Sequence, residues 1–132
     1  MLWLQNSLAS HWNGQYYQSL IPAPPGASYD PNIDIVMAAI YGAVAITDTR
    51  LLATAALLHR QWSDPSSAHF CPINGTDQQL GIGPMLGRYP GDLYDGDTDA
   101  KVRDHPWAVS TANFAELHYR LAKQINIVER IP

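Results

Sequence analysis

The apolar residues of this chain recur at helical spacing in segments separated by stretches rich in proline, glycine and polar residues. Near the N-terminus, Leu4, Leu8 and Trp12 repeat every four residues, which is typical of one stripe of a helix. Residues 13–30 contain three prolines and two glycines and predict a connector without regular structure. Because a helix occupies the first residues, we expect the chain to be part of a larger domain.

Two helices are predicted in the middle of the chain, each with signals at both ends. The pair Asp30-Pro31 can start the first with a capping side chain and a proline, and Gly42 can close it. Apolar residues surround most of its axis, so this helix should be buried. Thr47 or Asp48 can cap the second, and Ser63-Asp64-Pro65 ends it.

The final helix is predicted from Pro106 to about Ile125, after an irregular stretch over residues 66–105. So long a loop in a compact domain usually indicates function or an error in the assignment. The helix has two apolar stripes, which implies neighbours on two sides. The first stripe contains Ala108, Ala112, Ala115, Tyr119 and Ala122, and the second contains Phe114, Leu117, Leu121 and Ile125.

These patterns predict an all-α fold over residues 1–132, with about three to four helices and one long polar loop. Helices with two apolar faces fit a layered or barrel arrangement. So few helices cannot cover one another fully, and we therefore expect the chain to lack helices that it would pack against in a complete domain.

Composition argues against several classes of partner. Charged residues make up only 15% of the 132 residues, the net charge is −4 and the eight basic residues are scattered, which disfavours nucleic acid. A single cysteine, Cys71, excludes an internal disulfide. No apolar run is long enough for a membrane span, and the N-terminus lacks the features of a signal peptide. The compartment is left undetermined.

The sequence LGRYPGDLYDGD, residues 86–97, is the main candidate for chemistry. Arg88 precedes Tyr89-Pro90, which stiffens the backbone beside a guanidinium suited to hydroxyls, carboxylates or phosphates. Asp92 can orient that arginine or accept a hydroxyl proton, and Trp107 supplies a flat apolar face. Such a set suits a sugar ring, but an Arg-Asp pair that staples a long loop explains the same residues equally well.

The other candidate residues predict no metal, no cofactor and no catalytic group. Asp95, Asp97 and Asp99 alternate like calcium ligands, but Ala100 stands where an EF-hand loop needs glycine. The five histidines have no metal-ligand spacing. The two glutamates lie in the final helix and in the tail, so no pair of carboxylates suited to general acid and general base work is visible.

The segments GRYPGDLYDGD and HPWAVSTANFAELHYRLA closely resemble one region of the glucoamylases, glycoside hydrolase family 15. In that family the region contains Gly-Arg-Tyr-Pro-x-Asp-x-Tyr, a short variable gap, Asn-Pro-Trp and an alanine-rich helix. The segments YDPNIDIVMAAIYG and WNGQYYQS are also similar to the family, so the resemblance extends from about Leu4 to Lys123. Gly91 and His105 depart from the pattern, since the first replaces an acidic residue common in fungal members and the second replaces the asparagine.

The resemblance implies a partial α/α toroid, in a family whose complete barrel has six inner and six outer helices. It implies inverting hydrolysis of terminal α-1,4 and α-1,6 glucosidic bonds in starch-like glucans, which releases glucose. It also implies that Arg88, Asp92 and Trp107 bind an α-glucan or maltooligosaccharide. The remaining helices of the parent barrel would be further partners, and a secreted parent enzyme would fit the family.

The two catalytic glutamates of that family have no counterpart in these 132 residues. The resemblance places the general acid before residue 1 and the general base after residue 132. It therefore implies that the isolated chain is inactive or nearly so. Two alternatives are left open: a non-catalytic helical module that binds carbohydrate or another partner, and a gene fragment without a function of its own.

Overall fold

A computed structural model describes residues 2–21, 30–68, 79–80, 85–92 and 106–128. Within these residues the chain forms four helices and no strand, apart from an isolated antiparallel bridge between Trp12 and Tyr17. This confirms the predicted all-α class for the described part of the chain. The helices are α1 (Leu2–Ser10), α2 (Asp34–Ile40), α3 (Thr49–Ser63) and α4 (Ala108–Val128).

Helix α3 begins and ends where its sequence signals predict. The Asp48 carboxylate accepts hydrogen bonds from the backbone N–H groups of Arg50 at 2.8 Å and Leu51 at 3.3 Å. These contacts satisfy two of the donors that a helix leaves without a partner at its N-terminus. Asp48 is therefore the cap, and Ser63 is the last helical residue.

Helix α2 begins at Asp34, so the predicted start at Asp30-Pro31 is wrong by three residues. The Asp30 carboxylate does not cap the helix, because it accepts a hydrogen bond from the Ser19 backbone N–H at 2.7 Å. The Ile33 N–H, just before the helix, donates to the Arg88 carbonyl oxygen at 2.9 Å. The Asp30 carboxylate and the Ile33 N–H, which a local cap would join to each other, are therefore both bonded to distant residues.

The C-terminus of α2 follows the prediction. Gly42 has a φ of +79°, and its N–H donates to the Ala39 carbonyl at 3.0 Å while the Ala43 N–H donates to Ala38 at 2.8 Å. These two bonds form a Schellman motif, in which a left-handed glycine ends the helix. From α4, the Arg120 guanidinium donates to the Ile40 carbonyl at 2.8 Å and also pairs with Glu116.

Of the two apolar stripes predicted for α4, one is exposed and the other is buried only in part, since Ile125 at its end is 50% exposed. Phe114 and Leu117 are 6% and 1% exposed, whereas Tyr119 on the other stripe is 65% exposed. The four alanines that share a stripe with Tyr119 are exposed as well. Within the described residues, nothing covers this face of α4.

The core lies where α2 packs against both α3 and α4. Trp62, Leu58 and Leu51 of α3 are completely buried there, and Leu8 and Trp12 pack against the edge of the cluster. The buried apolar residues are Tyr17, Ile33, Ile35, Val36, Ala39, Val44, Leu51, Ala55, Leu58, Trp62, Leu86, Phe114 and Leu117.

None of the helices in the described ranges has the length and hydropathy that a bilayer span would require.

Candidate functional site

The loop at residues 85–92 is held by backbone hydrogen bonds to two other segments. The Trp107 N–H donates to the Leu86 carbonyl at 2.9 Å, and the Ile33 N–H donates to the Arg88 carbonyl at 2.9 Å. The Leu86 N–H in turn donates to the Thr111 hydroxyl at 3.0 Å. The backbone on both sides of Gly87 is therefore fixed before any side chain of the site is considered.

Gly87 is required here by close packing. A Cβ atom at this position would overlap the six-membered ring of Trp62, which is itself completely buried in α3. Only a residue without a side chain lets the loop backbone lie directly on the indole. The residue before Arg88 is therefore in contact with the core.

A tight turn follows Arg88 and returns the chain towards it. The Asp92 N–H donates to the Tyr89 carbonyl at 3.3 Å, and Gly91 has a φ of +75°. Proline followed by a left-handed glycine between these ends is typical of a type II turn. The Pro90-Gly91 pair is a local sequence signal for this turn, and it was missed among the predicted elements.

The turn brings Asp92 against Arg88. The guanidinium Nε donates to Oδ2 at 2.6 Å and Nη2 donates to Oδ1 at 2.7 Å, so that both carboxylate oxygens are engaged. The Asp92 side chain is 2% exposed and the Arg88 side chain is 39% exposed. A buried carboxylate therefore holds a half-exposed arginine in a bidentate geometry that fixes the plane of the guanidinium.

That guanidinium lies over two aromatic rings. The Arg88 Cζ atom is 4.3 Å from the centre of the Trp107 ring and 5.5 Å from the centre of the Tyr89 ring. Both distances are within the range of cation–π attraction. The structure thus brings together Arg88, Asp92 and Trp107, the three residues predicted from the sequence to bind a ligand.

Charge around Arg88 favours its ionised form. The hydrogen bonds to Asp92 are the main cause that raises the pKa of Arg88, and Tyr89 and Asp34 add to the effect by Coulomb attraction. Nη1 donates to no side chain or carbonyl of the described residues, whereas Nε and Nη2 both bind Asp92. The guanidinium therefore retains donor capacity for an acceptor from outside.

Asp92 is placed to orient Arg88. Both of its oxygens accept from the guanidinium, and its side chain is 2% exposed. Tyr89 is partly exposed and Pro90 is buried. The Arg88 side chain is 39% exposed, and its guanidinium lies beside the indole of Trp107.

Several carboxylates of the described residues are held in ion pairs with arginines. Glu116 pairs with Arg120 at 2.7 Å on the surface of α4, and Asp92 is buried in its own ion pair. The same part of the chain holds no group of three or more residues able to coordinate a metal ion. Several residues named from the sequence lie outside the described residues: Cys71, Asp95, Asp97, Asp99, Ala100, His105 and Glu129.

A groove lies between α3 and α4 and differs in character from the Arg88 site. This groove has a volume of about 830 Å³ and apolar walls that include Leu86, Phe114 and Leu121. His59 stacks on the Phe114 ring with centres 6.2 Å apart, and His118 meets its edge at 4.6 Å. Burial lowers the pKa of His118, and the neighbouring His59 lowers it further. Few polar groups face this groove, so its lining does not suit a sugar.

Comparisons with protein-family models, with curated proteins and with solved structures find no match. The resemblance to glucoamylases therefore remains an expectation from the sequence motifs.

Proposed function

We propose that the loop at residues 85–92, together with Trp107, is a sugar-binding surface from a glucoamylase-type α-glucan hydrolase domain. The observation that carries the proposal is the Arg88 guanidinium, fixed by a buried Asp92 and stacked 4.3 Å from the centre of the Trp107 ring. Sugar sites combine directed polar groups with aromatic lining residues, and this cluster places a guanidinium donor beside an aromatic ring.

If the Arg88–Asp92 pair only held the loop together, the burial of Asp92 would be explained but the exposed donor of Arg88 would not. The Arg88 side chain is 39% exposed, and Nη1 binds no described residue. Arg50 has the same exposure and also lies over an aromatic ring, but the Arg88 loop is in addition bonded to the segments of Ile33 and Trp107. These features favour a ligand contact in addition to the structural role.

The exposed stripe of α4 supports a larger helical assembly around this site. Four alanines and one tyrosine, Tyr119, form an exposed apolar stripe along this helix. Small residues allow close approach of another helix. We propose that further helices of an α/α toroid pack there, and that residues 1–132 make up part of such a domain.

The same proposal predicts binding without hydrolysis by these 132 residues. Inverting glycosidases need two carboxyl groups about 6.5–9.5 Å apart, one as an acid and one as a base that activates water. Neither Asp92 nor Glu116 is available for such work, because each is held by an arginine. This observation favours the non-catalytic carbohydrate-binding module over an active enzyme for the chain on its own.

Titration with maltose and maltotriose, followed by two-dimensional NMR, tests the binding proposal. We expect affinity near the millimolar range, which corresponds to about −4 kcal/mol. Arg88→Ala should abolish the shifts, and Arg88→Lys should weaken binding because an ammonium cannot replace the planar fork of donors. Arg50→Ala is the matched control, since Arg50 also pairs with an aspartate and lies over a tyrosine ring.

Equal loss of binding in the Arg50 and Arg88 variants would contradict a specific site. Loss of stability in Arg88→Ala with maltose binding intact would instead support the loop staple. Glucose release from soluble starch is measured in parallel, and we expect none above a control without protein. If the native chain released glucose and a heat-denatured sample did not, the predicted inactivity would be overturned.

A further inference from the structure

Thr111, in the first turn of α4, connects the two halves of the proposed site. Its hydroxyl donates to the Trp107 carbonyl at 3.0 Å and accepts from the Leu86 N–H at 3.0 Å. Trp107 and Leu86 are also joined directly, because the Trp107 N–H donates to the Leu86 carbonyl at 2.9 Å. The two residues are thus linked in both directions, once directly and once through the hydroxyl.

This double link holds the segment that carries Arg88 at a fixed distance from the segment that carries Trp107. Leu86 stands two residues before Arg88 in a loop whose next residue, Gly87, lies on Trp62. Trp107 carries the ring over which the guanidinium lies. A shift between Leu86 and Trp107 would therefore change the 4.3 Å separation of guanidinium and ring.

We propose that Thr111 is a positioning residue for the Arg88–Trp107 site. The inference rests on the proposed function of Arg88 and Trp107 as ligand contacts. A hydroxyl is needed at this position because it supplies one donor and one acceptor at once. Valine has almost the same shape but would leave the N–H of Leu86, a residue 1% exposed, without its acceptor.

The molecule offers a matched control in Thr54 of α3. The Thr54 hydroxyl donates to the Arg50 carbonyl at 2.8 Å and accepts from the Tyr17 N–H at 3.0 Å. The hydrogen-bond pattern is the same as at Thr111, but the segments that it joins do not include Arg88 or Trp107. Thr54→Val therefore removes an equivalent hydroxyl without touching the proposed site.

The Arg88 Nε–H resonance gives a readout that requires no ligand. In the wild-type chain the Asp92 hydrogen bond deshields this proton and the face of the Trp107 ring shields it, so the resonance reports on both contacts. Thr111→Val should move the resonance downfield as the Trp107 ring shifts away, whereas Thr111→Ser and Thr54→Val should leave it in place. An unchanged resonance in a folded Thr111→Val chain would overturn the proposal.

Hydrogen exchange of the wild-type chain provides a test that does not depend on any variant folding. The Leu86 amide should be protected as strongly as the Tyr17 amide, which donates to the equivalent threonine. Exchange of Leu86 as fast as an exposed amide would contradict the role of Thr111.

Maltose titration then links positioning to function. Loss of one net hydrogen bond corresponds to about a fivefold to tenfold change in affinity, and we expect weakening of this size in Thr111→Val. Thr111→Ser should restore the affinity, and Thr54→Val should keep it. If the wild-type chain binds no maltose, the proposed function fails, while the resonance and exchange measurements still decide the role of Thr111.

Discussion

Two arginine–aspartate pairs in this molecule have nearly the same chemistry and differ in how they are built. Arg50 binds both oxygens of Asp48 at 3.2 and 2.8 Å and lies 5.6 Å from the centre of the Tyr17 ring. Arg88 binds both oxygens of Asp92 and lies 4.3 Å from the centre of the Trp107 ring. Both arginine side chains are about two-fifths exposed, at 40% and 39%.

The difference lies in the carboxylate and in the segments that converge. Asp48 also caps α3 and remains 18% exposed, whereas Asp92 binds the guanidinium and is 2% exposed. The position of the Arg50 pair follows from a local helix start, but the Arg88 pair sits on a loop anchored by residues from elsewhere. An arginine–aspartate pair alone therefore does not identify a site, and the convergence of independent segments on Arg88 is the stronger indication.

The largest effect is expected from Gly87→Ala. This substitution disturbs the packing that anchors the Arg88–Asp92 pair and does not touch the Arg50–Asp48 pair. The new Cβ atom would overlap the buried Trp62 ring, and overpacking of this kind costs about 3 kcal/mol. Urea unfolding followed by circular dichroism measures the loss, and the Arg88 Nε–H resonance should move while that of Arg50 stays.

Gly42→Ala is the control for that substitution. Gly42 has a φ of +79° but open space around it, so alanine should cost only about 1 kcal/mol of backbone strain. A loss in Gly87→Ala no greater than in Gly42→Ala would show that the indole moves aside, and the loop would then be less firmly anchored than we infer.

Asp92→Asn should destabilise the chain more than Asp48→Asn. Neutralising a buried carboxylate leaves Arg88 without its counter-ion, and we expect a loss of about 2 kcal/mol, reduced from that of a fully buried pair because Arg88 is 39% exposed. Asparagine caps helices nearly as well as aspartate, so Asp48→Asn should have a smaller effect. If Asp92→Asn and Asp48→Asn unfolded at the same urea concentration, the inferred difference in stability between the two ion pairs would be contradicted.

The smallest effect is a pH dependence assigned to Asp48. Hydrogen bonds from the Arg50 side chain are the main cause that lowers the pKa of Asp48 below its ordinary value of 3.8. A carboxylate with a lowered pKa in the folded state stabilises the fold above the ordinary value, and this contribution is lost as pH falls through the folded pKa. The difference in unfolding midpoint between Asp48→Asn and the wild type should therefore shrink from about pH 6 to about pH 2, and growth of that difference would contradict the assignment.

Local signals in the sequence predicted most of the helical framework. Asp48 caps α3, Gly42 closes α2 and α4 begins at Ala108, two residues after the predicted Pro106, because each depends on residues within a turn of the boundary. The predicted start of α2 was wrong, because Ser19 takes the Asp30 carboxylate and the Arg88 carbonyl takes the Ile33 N–H. Spacing along the chain carries no information about such distant partners.

The sequence by itself determined the helical class, the helix ends set by local caps, and the residue types gathered around Arg88. The tertiary structure decided that Asp92 is buried behind the guanidinium and that Trp107, from another segment, lies beneath it. It also decided that Gly87 contacts Trp62 and that Thr111 bridges Leu86 and Trp107. The physical reason is that caps and turns use hydrogen bonds between near neighbours, whereas burial and stacking depend on how separate helices pack.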